Sequence, residues 1–598
     1  MQILINGLPA ILKSGSSFEY VSENRLFTGS DSYTLNMTFP LADCPQNRAI
    51  FGNIARKDVV KEAVVFDCSI QQGALYRSGV VTITEVTERD VKVQFLEGRS
   101  AQNFRKTFDK VYINEFEWGH YPGGLARNYA PASVWELENG VPEFVALPWV
   151  NSYSGNIQNE ARYDSTHGNY AWVYRNGNPQ SRMRLSFQPF LIYAVKEILT
   201  EMGYTYDFRE WEVSYHRFLL ICNTLPGAWD LCSYARAMPH WSITEFLQQI
   251  ELLLNCEFDI DHKAKKVGFR YTANVVEEVQ EEVIEVLIDE YKVDISSEEN
   301  EKFLPAHRRQ YAECSHRVWR YYSCPWLIRA LKGRVQTFQT MAQFLSACRN
   351  VASVNMDSID EQLAGMINGV YYVVAMDTYF VFRNTSAVKR NGSVVRTYAP
   401  VPVNVFGDRR MTGAEDEKVE ELKMVPAWMD ETDEEHGFML FLEMNNYDEE
   451  DGDGVEEGAS LEKVDPAPLA MLAQGEQQGV KEYYDKVYLA YWNGVLPQNE
   501  VPRPWVDRIM IDSSWRYQEY PSSLRFDSVL AMPLPEHDVD LRQKYSFSFL
   551  SNRIPNPRAV FHINGFRYVC EKISATLTEN GVSRKMNGTF YRLIGVDE

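Results

Sequence analysis

No Cys-x-x-Cys pair occurs in this chain, and its nine cysteines, at 44, 68, 222, 232, 256, 314, 324, 348 and 570, are odd in number and scattered. That distribution argues against a disulfide framework. Cys68, Cys222, Cys256, Cys348 and Cys570 stand in apolar contexts where a reduced thiol packs as a small hydrophobe, so folding in a reducing cytoplasm is expected. Cations are also scarce: 60 Lys and Arg against 82 Asp and Glu leave a formal net charge of −22. A general nucleic-acid binder needs clustered Lys and Arg, which this balance argues against. No apolar run approaches the length of a membrane span, and Met1 to Asn6 lacks the basic and long apolar regions of a secretory signal.

Catalytic and nucleotide-binding signatures are missing as well. There is no GxxxxGK[ST], no strand leading into GxGxxG, no HExxH and no GxSxG. His307, Cys314, His316 and Cys324 match no zinc spacing, and Arg308, Arg309, Arg317 and Arg320 beside them would oppose a cation. The same basic, aromatic stretch from His307 to Trp326 reads as a solvated face or as an interaction surface. Asp448 to Gly454 supplies no frame with oxygen ligands at the first, third and fifth positions followed by Gly, so it reads as an acidic loop and not a calcium site. With 82 acidic residues, paired carboxylates carry no specificity for glycoside hydrolysis. No catalytic, cofactor-binding or metal residue is assigned, no cofactor is expected, and the chain is not expected to be an enzyme.

What the chain does have is Asn-Gly. Nine such dipeptides occur where composition would place about two by chance, and the pair tolerates the positive φ of both corners of a type I′ hairpin. Three share a fuller pattern, at Asn6-Gly7, Asn368-Gly369 and Asn564-Gly565, each between apolar strand-like runs. With 34 Tyr and 31 Phe favouring half-buried strands, the expected class is α+β, predominantly antiparallel β. Several small β-barrel or sandwich domains with helix-hairpin inserts should share the 598 residues.

Residues 1–118 read as an N-terminal β domain, with alternating strands at Phe18 to Val21, Ser32 to Phe39, Val64 to Ile70, Gly79 to Val86 and Val91 to Phe95. Residues 119–180 form a Gly/Asn/Tyr-rich insertion that is either a solvated connector or a partner-contacting surface. In 181–271, a helix running from Pro189 to a C′ glycine at Gly203 precedes a second one, capped by the Ser242-x-x-Glu245 box and followed by a hairpin. In 272–413 a second box, Thr340-x-x-Gln343, again precedes a hairpin, which suggests an internal repeat. Residues 414–485 read as an acidic flexible segment around a strand at Phe438 to Met444, and 486–598 as a C-terminal β domain.

The N-terminal Ile-Asn-Gly hairpin with Tyr33 to Pro40, the Met238-Pro-His-Trp-Ser-Ile-Thr-Glu-Phe-Leu247 helix entry with Phe258 to Val267, and the closing Phe547 to Ile573 and Gly588 to Arg592 strands resemble tail hub proteins of long-tailed bacteriophages, of the late control protein D type. The resemblance touches about half the chain. It implies a structural virion protein of the tail: a baseplate hub assembled as a homotrimer. Two β-barrel domains per chain would form a pseudo-sixfold ring between a hexameric tail tube or distal tail protein and a trimeric tip or fibre, with a tape measure protein as a further partner. DNA would pass during ejection without sequence-specific binding, and assembly would take place in the host cytoplasm. A tail-tip receptor-binding or glycan-degrading protein is the alternative.

Overall fold

In a computed structural model, the described residues are 2–13, 15, 17–24, 27, 34–58, 65–72, 75–96, 108–121, 128–137, 143–151, 156–174, 185–223, 232–261, 264–271, 281–295, 309–312, 335–353, 361–376, 378–388, 394–403, 420–431, 438–442, 461–463, 482–496, 499–511, 515–525, 538–578 and 581–594. Strands dominate and most pair antiparallel, as the composition suggested.

The N-terminal sheet begins at the first Asn-Gly. Asn6 and Gly7 take φ of 49° and 79°, so Gln2–Ile5 turns directly into Leu8–Ala10 with Ile5 opposite Leu8. The sheet continues through Val65–Gln72, Leu75–Val86 and Asp90–Leu96 to Thr34–Pro40. It then rolls until its edges meet: Lys13 N–H donates to the Thr38 carbonyl at 3.3 Å, across from the first hairpin. The short helix Pro45–Phe51 lies at this seam. Its Asn47, fully buried, accepts from Ile11 N–H (2.9 Å) and donates to the carbonyls of Ile11 and Pro40 (both 2.8 Å). Ile3, Ile5, Met37, Phe39, Phe51, Val81, Val93 and Phe95 fill the interior.

A second barrel is assembled from distant parts of the chain. Val560–Ile563, Phe566–Thr578, Gly581–Ile594 and Asp538–Leu550 run in that order, and Asn564-Gly565 (φ 51° and 82°) joins the first two. Both outer edges are then taken by one mid-chain segment. Glu281–Ile284 pairs in parallel with Val560–Ile563, Leu287 bridges to Phe549, and Lys292–Ile295 pairs antiparallel with the strand ending at Leu550. Residues 281–295 therefore close the sheet on itself and leave no free edge there. Phe547, Phe549, Phe561, Ile563, Tyr568, Cys570, Met586 and Phe590 fill it.

Residues drawn from Phe108 to Leu524 build a central body with one large core. Eight tryptophans contribute to it, including Trp118, Trp135, Trp149 and Trp211, each fully buried. The 119–180 stretch supplies much of this core through Trp135, Val145, Ala146, Leu147, Trp149, Ala161 and Trp172. Its described residues are thus neither a solvated connector nor a surface alone; its Gly and Asn content concealed apolar side chains too widely spaced to show a period. The 414–485 stretch differs likewise from its expectation. Strands Glu420–Leu422, Met424–Pro426, Met429–Glu431 and Phe438–Leu442 place Leu422, Met424, Val425 and Leu440 in the same core, and the acidic runs had dominated its composition. Val487–Tyr491 pairs with Leu219–Ile221 and Met424–Pro426, so it belongs to the central body and not to the C-terminal barrel. Of His307 to Trp326, only Arg309–Ala312 is described: its Arg309–Tyr311 strand runs parallel to Glu420–Leu422, and the buried Tyr311 donates to the Leu524 carbonyl at 2.7 Å. His307, Cys314, His316, Cys324 and the Asp448 loop fall outside the described residues.

Both helix caps form. Ser242 Oγ accepts from Glu245 N–H (3.1 Å) at the head of Ile243–Leu254, and Thr340 and Gln343 close the reciprocal box at the head of Met341–Ala347. Gly203 ends the Leu191–Glu201 helix at φ 74°, while Pro189 lies in a short strand ahead of the helix. The third Asn-Gly does not make a hairpin. Asn368 and Gly369 N–H groups bond back to Ala364 and Met366, so this pair terminates the helix Glu361–Ile367. The two helix-hairpin units also differ in topology. The first orders its strands Thr205–Asp207, Lys266–Tyr271, Cys256–Asp261; the second runs Val335–Phe338, Val370–Val373, Thr378–Val388, Val394–Val403, so the added parallel strand joins opposite members of the hairpin.

His216, on the turn Tyr215–Phe218, is held at 3.0 Å from the Tyr491 hydroxyl beside the Tyr271 ring. Burial lowers its pKa from 6.5 to about 4. A depressed folded-state value means the unfolded chain takes the proton first, so stability is intact above about pH 6.5 and drains as pH falls toward 4. The full loss is about 3 kcal/mol. Urea midpoints at pH 7 and pH 4 should fall further for the wild type than for His216→Gln; equal losses would show that another group carries the effect.

Candidate assembly surface

The two barrels are fused side by side, and the joint is built from Ser17–Glu23. Its alternation places Phe18 and Tyr20 in the N-terminal core, while its backbone pairs with Phe566–Thr578 of the C-terminal barrel, from Ser17 opposite Thr578 to Glu23 opposite Lys572. Leu577 reciprocates by packing into the N-terminal core. One strand thus serves both barrels. Just beyond it, buried Asn24 donates to the carbonyls of Pro557 (3.1 Å) and Cys570 (2.9 Å), and its N–H to Glu571 (2.7 Å). Phe27 stacks on Tyr591 at 5.1 Å over an outer-face cluster of Val569 and Leu593. Lys544 reaches Glu571 at 2.7 Å on the same barrel. These contacts fix the barrels as one unit, with seven residue pairs of sheet in the joint.

Among the described residues no group of three or more His, Cys, Asp or Glu could hold a metal ion, and no helix is long and apolar enough to cross a membrane. Cys44, Cys68, Cys222, Cys256, Cys348 and Cys570 are buried without disulfides, and burial pushes the Cys68 thiol up to about 12, away from nucleophilic use. The Asn6-Gly7 and Asn564-Gly565 hairpins are marked in the sequence, but the joint is not. Phe18-Glu-Tyr-Val-Ser22 reads as an ordinary half-buried strand, and nothing local specifies a partner more than 500 residues away.

No family model matches the chain, and no curated protein does. Among solved structures it is similar to phage tail proteins. One is a 43 kDa tail protein of a Shewanella oneidensis prophage, with 7% identity over 100% of this chain and 98% of that one and a TM-score of 0.26. Another is a tail protein of Neisseria meningitidis, with 6% identity over 99% and 95% and a TM-score of 0.28. A third is an Escherichia coli type VI secretion component described as structurally similar to the T4 tail proteins gp27 and gp5, with 10% identity over 84% and 98% and a TM-score of 0.21. At such scores the overlays do not define this fold, which rests on the strand pairings above.

Proposed function

We propose that the chain is a structural protein of a phage-type tail, the hub that adapts a hexameric tail tube to a trimeric tip. The observation carrying this reading is the pair of barrels fused through Ser17–Glu23. A chain that presents two similar walls side by side matches a symmetry twice its own copy number, so three copies offer six barrels to a sixfold tube and three bodies to a threefold tip. The central body and the helix-hairpin module of residues 335–403 supply the distal mass. The net charge of −22 lets DNA pass along a wall that repels it. The neighbours in this reading are a tail tube or distal tail protein, a tip or fibre protein and a tape measure protein, and the chain works in the virion tail after assembly in the host cytoplasm. It needs no cofactor and performs no catalysis.

Native mass measurement of the purified chain should give three copies, and the assembly should bind tail-tube protein. A stable monomer that ignores tube protein, or one that binds or cleaves glycans tightly, would overturn the proposal.

A further inference from the structure

Asn-Gly is a reactive pair as well as a turn-former, because a glycine without a Cβ leaves its backbone nitrogen free to reach the preceding side-chain amide. Of the nine pairs, those at Asn6, Asn368, Asn493, Asn564 and Asn587 lie among the described residues, and four of these are held in place. Asn6 Oδ1 accepts from Asp67 N–H at 2.9 Å. Gly369 N–H donates to the Met366 carbonyl at 3.0 Å. Asn493 Oδ1 accepts from Val495 N–H at 3.1 Å, and its amide donates to the Tyr215 hydroxyl at 3.3 Å. Asn587 Oδ1 accepts from the Ser548 hydroxyl at 2.8 Å, while Gly588 sits in a strand paired on both sides, opposite Phe547 and Ile573. Asn564 differs. It is exposed with Gly565 at the tip of its hairpin, and among the described residues none hydrogen-bonds its side chain.

The turn itself gives access to the reactive conformation. Cyclisation needs the glycine nitrogen to eclipse the Asn Cβ about the Cα–C bond, at ψ of about −120° for an L residue, whereas the first corner of a type I′ turn has ψ of about +30°. Turning over the Asn564-Gly565 peptide plane converts type I′ to type II′. That change keeps φ positive at Asn564, brings its ψ to about −120° and gives Gly565 a negative φ, which glycine adopts freely. Both turns serve a two-residue hairpin, so the pairs Ile563 with Phe566 and Phe561 with Tyr568 stay closed meanwhile.

We propose that Asn564 is a site of self-catalysed modification in the folded chain. The Gly565 backbone nitrogen gives up its proton to solvent and bonds to Asn564 Cγ; the Cγ–Nδ2 bond breaks, ammonia leaves, and a five-membered imide closes. Water then opens one of the two imide carbonyls, leaving aspartate or an isoaspartate whose main chain runs through the former side chain. Nothing is oxidised or reduced. Isoaspartate adds a carbon to the main chain of a two-residue turn, which then no longer fits its strands, and one of them, Val560–Ile563, carries Glu281–Ile284 of the closing segment. The matching turn of the N-terminal barrel is spared, because the Asp67 bond must break before Asn6 Cγ can meet the Gly7 nitrogen.

The test is ageing of the purified full chain in mildly alkaline buffer, followed by proteolysis and mass spectrometry of the peptides bearing each pair. In the folded chain Asn564 should convert at least about threefold faster than Asn6, the margin of one net hydrogen bond, with part of the product eluting as isoaspartate. In concentrated urea the two rates should converge, since Ile5-Asn6-Gly7-Leu8 and Ile563-Asn564-Gly565-Phe566 are nearly alike once the Asp67 bond is gone. Equal rates in the folded chain, or faster conversion at Asn368, Asn493 or Asn587 than at Asn564, would overturn the proposal. So would a difference between Asn6 and Asn564 that persists unchanged in urea, which would assign it to local sequence and not to the fold.

Discussion

Asn47→Leu should cost about 3–5 kcal/mol of unfolding free energy, although the side chains are nearly equal in volume. Asn47 is fully buried and satisfies three backbone groups at the seam of the N-terminal barrel: the Ile11 N–H and the carbonyls of Ile11 and Pro40. Leucine fills the space and bonds none of them. Each buried group left unpaired costs about 1–3 kcal/mol, and the three lie together where water cannot enter without opening the seam. The Lys13 N–H to Thr38 bond would still join the edges, but at 3.3 Å it is a long one. Asn47→Asp offers a sharper comparison, because it keeps an acceptor for Ile11 N–H and loses the donors. Urea unfolding should rank wild type above both variants, and a loss below about 1 kcal/mol for Leu would mean the seam is solvated.

Arg525→Met should be as damaging, for a different reason. Arg525 and Asp507 are 3% and 6% exposed, with Nε to Oδ1 at 3.2 Å, and Arg525 Nη2 donates to the buried Thr378 hydroxyl at 3.0 Å. The guanidinium therefore pins the central body to the hairpin of the second module, whose core also takes Ile509 and Ile511. Removing one partner strands a carboxylate in the interior, at about 3–5 kcal/mol. Replacing both, as Asp507→Leu with Arg525→Met, removes the stranded charge and should recover most of that loss. A thermal melt separates the cases: the single change should lower the midpoint well below the double one. If the double variant is the less stable, the ion pair contributes net stability and the desolvation argument fails.

The parts of this fold that were legible in the sequence are those whose cause is local. Asn6-Gly7 and Asn564-Gly565 specify their hairpins because two positive φ values in succession suit few other pairs. Ser242 and Thr340 mark helix starts because their hydroxyls meet backbone donors three residues on. Asn368-Gly369 misled for the same physical reason, since a residue pair that tolerates unusual backbone angles also serves a helix C-terminus. The architecture was hidden because its causes are distant. Ser17–Glu23 pairs with residues 572–578, and 281–295 with 543–563, and alternation records which face is buried but not against what. The candidate surface was accordingly legible as two barrels and illegible as a joint.

The closing segment has a consequence for how the chain is made. A ribosome releases residues 17–23 and 281–295 long before residues 538–594, the strands both must meet. Until then each carries an unpaired edge, and the loop that must be closed is among the longest the chain allows, which slows barrel formation and favours off-pathway pairing. A chain interrupted before residue 538 would keep both edges open and could build neither the second barrel nor its joint. Residues 538–594 thus act as a late check on synthesis: chains that lack them cannot hide these strand edges and remain visible to chaperones and proteases.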